Sequence, residues 1–313
     1  MKTMSLVVPC YNEEPTIEIF YNTVEKVLAD NPESFKDITT EYVFVNDGSS
    51  DDTLNVLRTL NAAHPDTVHY VSFSRNFGKE AGLLAGLEHT IGDYVAVMDV
   101  DLQDPPTLLP KMLAMLESGD YDCIGTMREN RAGEPMIRSF LSRSFYSVVN
   151  KISKVKIIPN ARDYRLMTRQ MVDAILELPE YNRFSKGIFN WVGFRTTYLK
   201  FENQPRSAGE THWSIWQLFN YSMDAIVDFS DVPLKIATFT GGLLSLISII
   251  SIFVVIIRKI LFDNSVSGWA STITILLLIG GIQLFCLGII GNYIGKIYIE
   301  SKHRPHYIVQ EKK

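Results

Sequence analysis

Short apolar, β-branched runs alternate with longer stretches of helical periodicity over roughly the first 127 residues of the chain. Short apolar runs bounded by polar turns are typical of buried strands, and the intervening stretches are long enough for helices. This alternation predicts βαβ units that build an open, doubly wound and mainly parallel sheet. The predicted strands are residues 5–9, 42–46, 68–73, 94–98 and 122–126, and the predicted helices are residues 16–29, 52–62, 79–90 and 107–116.

Each of the first four predicted strands runs directly into polar residues. In an open parallel sheet the carboxyl ends of the strands meet at one edge, and ligands bind in the crevice outside that edge. We therefore expect these strand-end segments to share one site. They are Tyr11-Asn12-Glu13, Asp47-Gly48-Ser49, Ser74-Arg75-Asn76 and residues 99–104.

Two long apolar segments near the C-terminus, residues 234–257 and 270–295, predict membrane-spanning helices. Each exceeds the roughly 20 residues needed to cross a bilayer, and a buried core hairpin is the alternative. Lys and Arg at the outer ends favour both termini on the cytoplasmic side, although Arg258 and Lys259 in the linker weaken the contrast. Glycines in both segments would allow close packing of the two helices, or of two copies in a homo-oligomer.

Two segments with mixed apolar and polar character lie between these regions. Residues 135–156 predict a basic amphipathic helix, which packs either on the protein core with a solvated basic face or on anionic lipid. An aromatic stretch that contains Trp213 and Trp216 follows, and it suits a membrane interface. The predicted division is an α/β domain over residues 1–212, a juxtamembrane interfacial helix over 213–233, a transmembrane hairpin over 234–299 and a cytoplasmic tail over 300–313.

Composition and charge restrict the class of partner. The 313 residues carry a net charge of -5 and a pI of about 5.7, so whole-chain electrostatics predict no nucleic-acid partner. Three scattered cysteines match neither a metal-ligand spacing nor a disulfide framework, which indicates a reducing compartment. The N-terminus passes from a very short apolar run into polar residues, unlike a signal peptide. We therefore expect the α/β domain on the cytoplasmic face of the cell membrane.

Oxygen-bearing side chains cluster after the fourth predicted strand. Asp99, Asp101 and Gln103 alternate along the chain, so in an extended conformation they project to one face. Such ligands suit a hard cation, Mg2+ or Mn2+, which keeps coordination positions open for phosphate oxygens. The alternative is a polar loop whose acids cap the next helix, and that interpretation suits Asp104 because two prolines follow it.

The other strand ends supply candidates for holding a nucleotide. Asp47 lies too early to cap the second helix and could accept hydrogen bonds from a ribose or a base edge, whereas N-cap chemistry explains the acids that follow it. Tyr11 could stack on a base, and Glu13 could accept a bond from a nucleoside hydroxyl. Lys79 could neutralise a diphosphate, with a solvated helix N-terminus as the alternative.

These motifs together resemble a known enzyme family. PCYNEE, DGSSDDT, RNFGKEAG, DVDLQDPP, ARDYRLMTR and RSAGETHWS are similar to motifs of the inverting family 2 glycosyltransferases, which have the Rossmann-like GT-A fold. Within that family the chain is most similar to the polyprenyl-phosphate glycosyltransferases, which include bactoprenol glucosyltransferases and dolichyl-phosphate mannose synthases. The resemblance implies metal-dependent transfer of a sugar from a nucleotide sugar to a polyprenyl phosphate lipid. A UDP-sugar is the expected donor, with glucose as the first expectation.

The resemblance also implies roles for individual residues. For the donor, it implies that the nucleoside is held by Pro9, Tyr11, Glu13 and Asp47, and that Asp99 contacts the nucleotide. The metal is expected to be bound by Asp101 and Gln103, and the acceptor phosphate by Arg128, Arg138 and Ser142. Arg206 is expected to lie on a mobile loop that closes over the diphosphate. Asp163 stands where related enzymes keep a base. Because a lipid phosphate is already ionised near neutral pH, we expect Asp163 to orient the acceptor or the sugar. The family more often has Ser-Lys where this chain has Thr211-His212, which puts a second loop cation in doubt.

Three other functions are alternatives to this one. A processive polysaccharide or glycolipid synthase shares the N-terminal motifs, but the QxxRW string of the processive enzymes does not occur in the sequence. An inactive nucleotide-binding scaffold is expected to lose some acidic or basic site residues, and none is plainly missing. A transporter is the third alternative, although two spans are few for that function.

Overall fold

The computed structural model describes residues 1–129, 150–151, 158–202, 227, 230–262 and 268–313. Its strands are β1 (Lys2–Cys10), β2 (Ile38–Asn46), β3 (Val68–Phe73), β4 (Tyr94–Val97), β5 (Cys123–Arg128), β6 (Ala161–Thr168), β7 (Thr196–Phe201) and β8 (Val309–Lys312). The helices of the α/β domain are α1 (Ile17–Asp30), α2 (Thr53–Ala63), α3 (Lys79–Glu88), α4 (Leu109–Glu117), α5 (Arg169–Leu176) and α6 (Ser185–Trp191). A short 3-10 turn, Pro106–Leu108, precedes α4.

All eight described strands form one sheet in the order β7-β5-β6-β4-β1-β2-β3-β8. β1 pairs in parallel with β2 and β4, and β2 pairs in parallel with β3. β6 runs antiparallel between β4 and β5, and β8 runs antiparallel along β3. The predicted mainly parallel, Rossmann-like sheet is therefore confirmed, but β6, β7 and β8 were not predicted. Charged residues interrupt the apolar pattern in β6 and β8, as in ARDYR and VQEK.

Apolar side chains bury both faces of the sheet. Leu6 and Val8 of β1 contribute to the core beneath α1, α2 and α4, whereas Val7 lies in the core beneath α3, α5 and α6. This alternation is the two-residue period of a strand that is covered on both sides. Because β1 lies between β2 and β4, the connections diverge to either side of it, and the crevice at its carboxyl end is where such sheets bind ligands.

Two long helices, α7 (Val232–Phe262) and α8 (Trp269–Ser301), contain the two predicted spans. The segments Val232–Ile257 and Thr272–Ser301 have a mean hydropathy of 2.5 and present their apolar side chains to the outside, so both are candidate membrane spans. A Cβ atom built at any glycine of these two helices meets no other atom within 4 Å. The described glycines therefore do not form the contact between α7 and α8.

The chain after α8 returns to the α/β domain and does not end as a free tail. Val309–Lys312 adds an antiparallel strand to the edge of the sheet beside β3. Closing an edge in this way satisfies backbone groups that another chain could otherwise pair with. Of the predicted basic helix, residues 135–156, only residues 150–151 are described, and most of the predicted juxtamembrane helix also lies outside the described residues.

Candidate active site

The antiparallel strand β6 brings Asp163 to the end of β4. Val97 pairs with Arg165, so two residues further along this register Asp99 comes level with Asp163. Lys79, at the start of α3, lies between the two acids, and its Nζ is 2.7 Å from a carboxylate oxygen of each. Residues distant in sequence thus form one carboxylate, ammonium and carboxylate bridge at the crevice.

The charges around Asp163 keep its carboxylate ionised. Burial opposes ionisation, but the positive charges of Lys79, Lys186 and Arg165 outweigh that effect and lower the pKa of Asp163. Partial loss of hydration opposes the charge of Lys79, but the negative charges of Asp163 and Asp99 outweigh that effect and raise its pKa. A carboxylate held ionised in this way is a weak proton acceptor at neutral pH.

The acidic segment after β4 is a turn and not an extended strand. β4 ends at Val97, and Leu102 has a left-handed φ of 55°. Asp101, which is 8% exposed, accepts a hydrogen bond from the backbone N–H of Gln103 at 3.1 Å. The prediction that strand alternation aligns Asp99, Asp101 and Gln103 on one face is therefore wrong. Two of these side chains, Asp99 and Gln103, instead approach Nη2 of Arg162, at 3.8 and 3.4 Å.

Asp104 forms a buried ion pair instead of capping the next helix. Its carboxylate is 1% exposed and accepts from Nε of Arg162 at 2.8 and 3.1 Å. The interpretation of Asp104 as a helix start is therefore wrong, because Pro105 holds the cap position of the 3-10 turn. Burial raises the pKa of Asp104, and the adjacent guanidinium partly opposes that rise. The pair holds the turn after β4 against β6.

Gln103 is drawn into the same network. Its Oε1 accepts from Nη2 of Arg128 at 2.8 Å and from Nη2 of Arg162 at 3.4 Å. Arg128 lies at the end of β5, which is next to β6 in the sheet. Arg128 and Gln103 are thus in direct contact. Arg128 was predicted to bind the acceptor phosphate, and Gln103 was predicted to bind the metal.

Asp47 organises the nucleotide side of the crevice through the backbone. Its two carboxylate oxygens accept from the N–H groups of Phe77 at 2.6 Å and Gly78 at 2.9 Å, at the start of α3. Burial raises the pKa of Asp47, and these two backbone donors oppose the rise. Gly48 has a φ of 62°, and a Cβ there would lie 2.2 Å from the backbone carbon of Arg75, so only glycine fits.

The loop after β1 lies next to the loop after β2. The backbone N–H of Asn12 donates to Ser49 Oγ at 2.9 Å, and the N–H of Ser50 donates to Asn12 Oδ1 at 2.9 Å. Tyr11 is 49% exposed beside this junction, as a ring that stacks on a ligand must be. Glu13 accepts from the hydroxyl of Thr16 at 2.9 Å. Direct contacts thus connect the loops that follow β1, β2, β3 and β4. The role of holding the nucleotide stays a prediction for Pro9, Tyr11, Glu13, Asp47, Lys79 and Asp99.

Arg162, Arg165, Lys186 and Glu80 are site residues that the sequence did not single out. Glu80 follows Lys79 and accepts from both the N–H and the hydroxyl of Ser185 at the start of α6. Arg165 is 2% exposed and lies 3.6 Å from the ring centroid of Phe189. The spacing of charged residues in ARDYR could have indicated these site residues in the sequence. Side chains alternate along a strand, so Asp163 and Arg165 lie on one face of β6 and Arg162 lies on the other. Arg138, Ser142, Arg206, Thr211 and His212 lie outside the described residues.

The donor atoms suit a hard cation that a substrate helps to bind. Across the described ranges, no group of three or more His, Cys, Asp or Glu side chains is placed to hold a metal ion. The donors at the end of β4 are the carboxylates of Asp99 and Asp101 and the amide of Gln103. Mg2+ sites that use one or two carboxylates together with substrate phosphates have this composition. The oxygen donors of Asp99, Asp101 and Gln103 thus fit a hard divalent cation.

Comparison with known proteins identifies the family of the chain. Residues 5–176 match the family described as glycosyl transferase family 2, and residues 232–297 match the GtrB C-terminal hairpin. The putative glycosyltransferase CsbB of Bacillus subtilis is 44% identical over 310 residues, with 98% of this chain and 91% of the relative aligned. The bactoprenol glucosyl transferase of Shigella phage SfX is 41% identical, with 99% of each chain aligned.

A solved structure, the mannosyltransferase PcManGT from Pyrobaculum calidifontis in complex with GDP-Man and Mn2+, is 15% identical. It aligns with 94% of this chain and 87% of its own, with a TM-score of 0.44. The family match covers more than half of the 313 residues, and the two relatives match almost the whole chain at 40% identity or more. The chain therefore belongs to glycosyl transferase family 2.

Proposed function

We propose that this protein transfers glucose from UDP-glucose to a polyprenyl phosphate at the cytoplasmic face of the cell membrane. One observation carries the proposal: a single chain joins a carboxylate and cation cluster at a strand-end crevice to a two-helix apolar hairpin. The relative from Shigella phage SfX, named a bactoprenol glucosyl transferase, is similar over both parts, with 99% of each chain aligned.

The reaction requires one bond to form and one to break. An oxygen of the lipid phosphate bonds to the anomeric carbon of glucose as the bond from that carbon to the diphosphate breaks. The electron pair leaves with UDP, and attack from the opposite face inverts the configuration. Because the phosphate has a second pKa of about 6, it attacks as an anion and needs no strong base.

Asp163 therefore orients a reactant and does not remove a proton. Its ionised carboxylate is bonded to Lys79, so its oxygens are hydrogen-bond acceptors for sugar hydroxyls. Lys79, whose side chain is 46% exposed, is able to turn toward an arriving diphosphate while remaining close to both acids. A positive charge directed at the leaving group stabilises the transition state most strongly where water is excluded.

Asp101 and Gln103 are the proposed ligands of a divalent cation, with Asp99 beside the nucleotide. When bound, Mg2+ or Mn2+ neutralises the charge that develops on the departing diphosphate. The amide oxygen of Gln103 faces Arg128 and Arg162, so binding a cation requires this side chain to exchange guanidinium contacts for the ion.

Arg128, Arg138 and Ser142 are proposed to receive the acceptor phosphate, and Arg206 to close over the diphosphate. Arg128 lies at the end of β5 and donates to Gln103 in the acidic turn, which supports a phosphate site next to the proposed cation. A guanidinium fork matches the geometry of phosphate oxygens. The hairpin is proposed to place both termini and the whole α/β domain on the cytoplasmic side.

The test uses the purified full-length protein with Mn2+ or Mg2+ and undecaprenyl phosphate in detergent. UDP-glucose, UDP-galactose, UDP-N-acetylglucosamine and GDP-mannose are each supplied with a labelled sugar. We expect labelled lipid with UDP-glucose, release of one UDP per lipid formed, and loss of both products with Asp101→Asn. Absence of labelled lipid from all four donors, with a folded protein, would refute the proposed function.

A further inference from the structure

The end of α8 touches the α/β domain close to the candidate active site. Both carboxylate oxygens of Glu300 accept from the backbone N–H of Tyr181, at 2.9 and 3.2 Å. Six residues after Glu300, the ring of His306 stacks on the ring of Tyr181 with centroids 5.3 Å apart and planes 17° apart. We call these three residues the membrane junction. It fixes one loop of the catalytic domain to the end of a candidate membrane span.

The chain beyond the membrane junction is fastened along the sheet. Tyr307 stacks on Phe73 with centroids 4.7 Å apart, and its hydroxyl donates to Glu88. Backbone bonds of 3.0 and 3.1 Å then join Lys313 to Tyr70 in both directions. Since these contacts span a whole strand, the end of α8 cannot move far from the sheet while β8 is paired.

The loop held by the membrane junction leads directly to the site. Tyr181 lies four residues before Ser185, the first residue of α6. Ser185 bonds to Glu80 through its N–H and its hydroxyl, and Glu80 is adjacent to the bridging Lys79. A short series of direct contacts therefore links the membrane helix to the residues that flank Asp163.

The length of α8 explains why such a link is useful. Its 33 residues extend about 50 Å, whereas the hydrocarbon core of a bilayer is about 30 Å thick. The helix is thus about 20 Å longer than the core. We place the excess at its C-terminal end, because Glu300 there contacts the α/β domain. A lipid phosphate is confined to one depth in the membrane, so a site that must meet it needs a fixed height above the bilayer.

We propose that the membrane junction sets the height and orientation of the active site relative to the bilayer. Glu300 and His306 are thus positioning residues, needed for an acceptor held in a membrane and not for an acceptor free in water. This inference rests on the proposed function. Misplacement of a reacting group by about 1 Å can cost about a hundredfold in rate, so even a small tilt of the domain is measurable.

The test compares two acceptors with the same full-length enzyme in proteoliposomes. One acceptor is undecaprenyl phosphate in the bilayer, and the other is a short water-soluble isoprenyl phosphate. For Glu300→Ala we expect kcat/KM on the membrane acceptor to fall about tenfold, with less than about a twofold change on the soluble acceptor. Glu300→Gln keeps an oxygen for the Tyr181 N–H, so we expect it to restore most of the activity.

His306→Ala removes the stacking contact alone and is expected to show the same selective loss, to a smaller extent. Glu177→Ala is the matched control, because Glu177 is an exposed carboxylate on the same loop. An equal loss on both acceptors, a loss confined to the soluble one, or no loss at all would overturn the inference. If the wild-type enzyme glucosylates neither acceptor, the proposed function fails instead, so the two failures are distinguishable.

Discussion

The buried ion pair of Asp104 and Arg162 offers a quantitative test of how the acidic turn is held in place. Asp104→Asn keeps the shape of the side chain but removes its charge. Removing one partner of a buried pair typically costs about 3–5 kcal/mol. Arg162 is 23% exposed and keeps Asp99 at 3.8 Å and Gln103 at 3.4 Å as further partners, so we expect the lower end, about 3 kcal/mol.

This loss predicts a clear change in thermal unfolding. For a domain of about 200 residues, each kcal/mol shifts Tm by about 2–4 °C, so Asp104→Asn should lower Tm by about 6–12 °C. The measurement is near-UV circular dichroism of the purified protein in detergent during heating. Unfolding of the α/β domain is followed by this signal because its packed aromatic side chains lose their fixed environment.

Asp122→Asn is the matched control for this experiment. Asp122 also pairs with an arginine, Arg195, at 3.0 Å, but the arginine side chain is 60% exposed. Solvent screens such a pair and side-chain entropy opposes it, so its loss should change Tm little. Equal shifts for the two variants, or a shift below about 2 °C for Asp104→Asn, would contradict the idea that burial makes the Asp104 pair important.

Three further predictions concern the bridge of acids and the C-terminal strand. Asp101→Asn should lower the initial rate of sugar transfer by at least about a hundredfold. Asp163→Asn should lower the same rate by less than the roughly hundredfold loss expected when a general base is removed. Equal and complete losses of activity in both variants would count against separate roles. Lys79→Met removes the main positive charge that lowers the pKa of Asp163, so this pKa should rise toward its ordinary value. The acidic limb of the pH profile of kcat/KM should therefore move to higher pH. An unmoved limb would show that Lys79 does not control the ionisation of Asp163. Hydrogen bonds from Arg58 and Tyr70 lower the pKa of Glu311 from 4.5 to about 2, so their stabilising effect is present above pH 4.5 and is lost as the pH falls toward 2. The difference in Tm between wild type and Glu311→Gln should therefore shrink as the pH falls from about 5 to about 2, and a constant difference would refute this linkage.

Much of the fold was predictable because its pattern is local. The five predicted strands are short apolar runs, and burial on both faces makes such runs visible in the sequence itself. The two candidate spans were predictable for the same reason, since length and hydropathy are properties of a continuous segment. The polar ends of the first four strands also followed from the general rule for parallel sheets, and the structure groups them at one crevice.

The environment of each site residue was not predictable, because it depends on pairing between distant segments. The antiparallel insertion of β6 between β4 and β5 brings Asp163 level with Asp99 and places Arg162 against Asp104. No local periodicity encodes that register. The sequence pattern of residues 99–103 suggested an extended strand, but the left-handed φ of Leu102 makes this segment a turn.

The sequence by itself determined the class of sheet, the strand-end position of the site, the chemical types of its residues and the presence of two apolar helices. Only the tertiary structure decided which acid meets which cation, and that the segment after α8 is a strand of the sheet and not a free tail. The physical reason is the same in both cases. The local pattern of apolar residues in the sequence shows which positions are buried. Strand register and ion pairing, by contrast, arise only when segments far apart in sequence pack together.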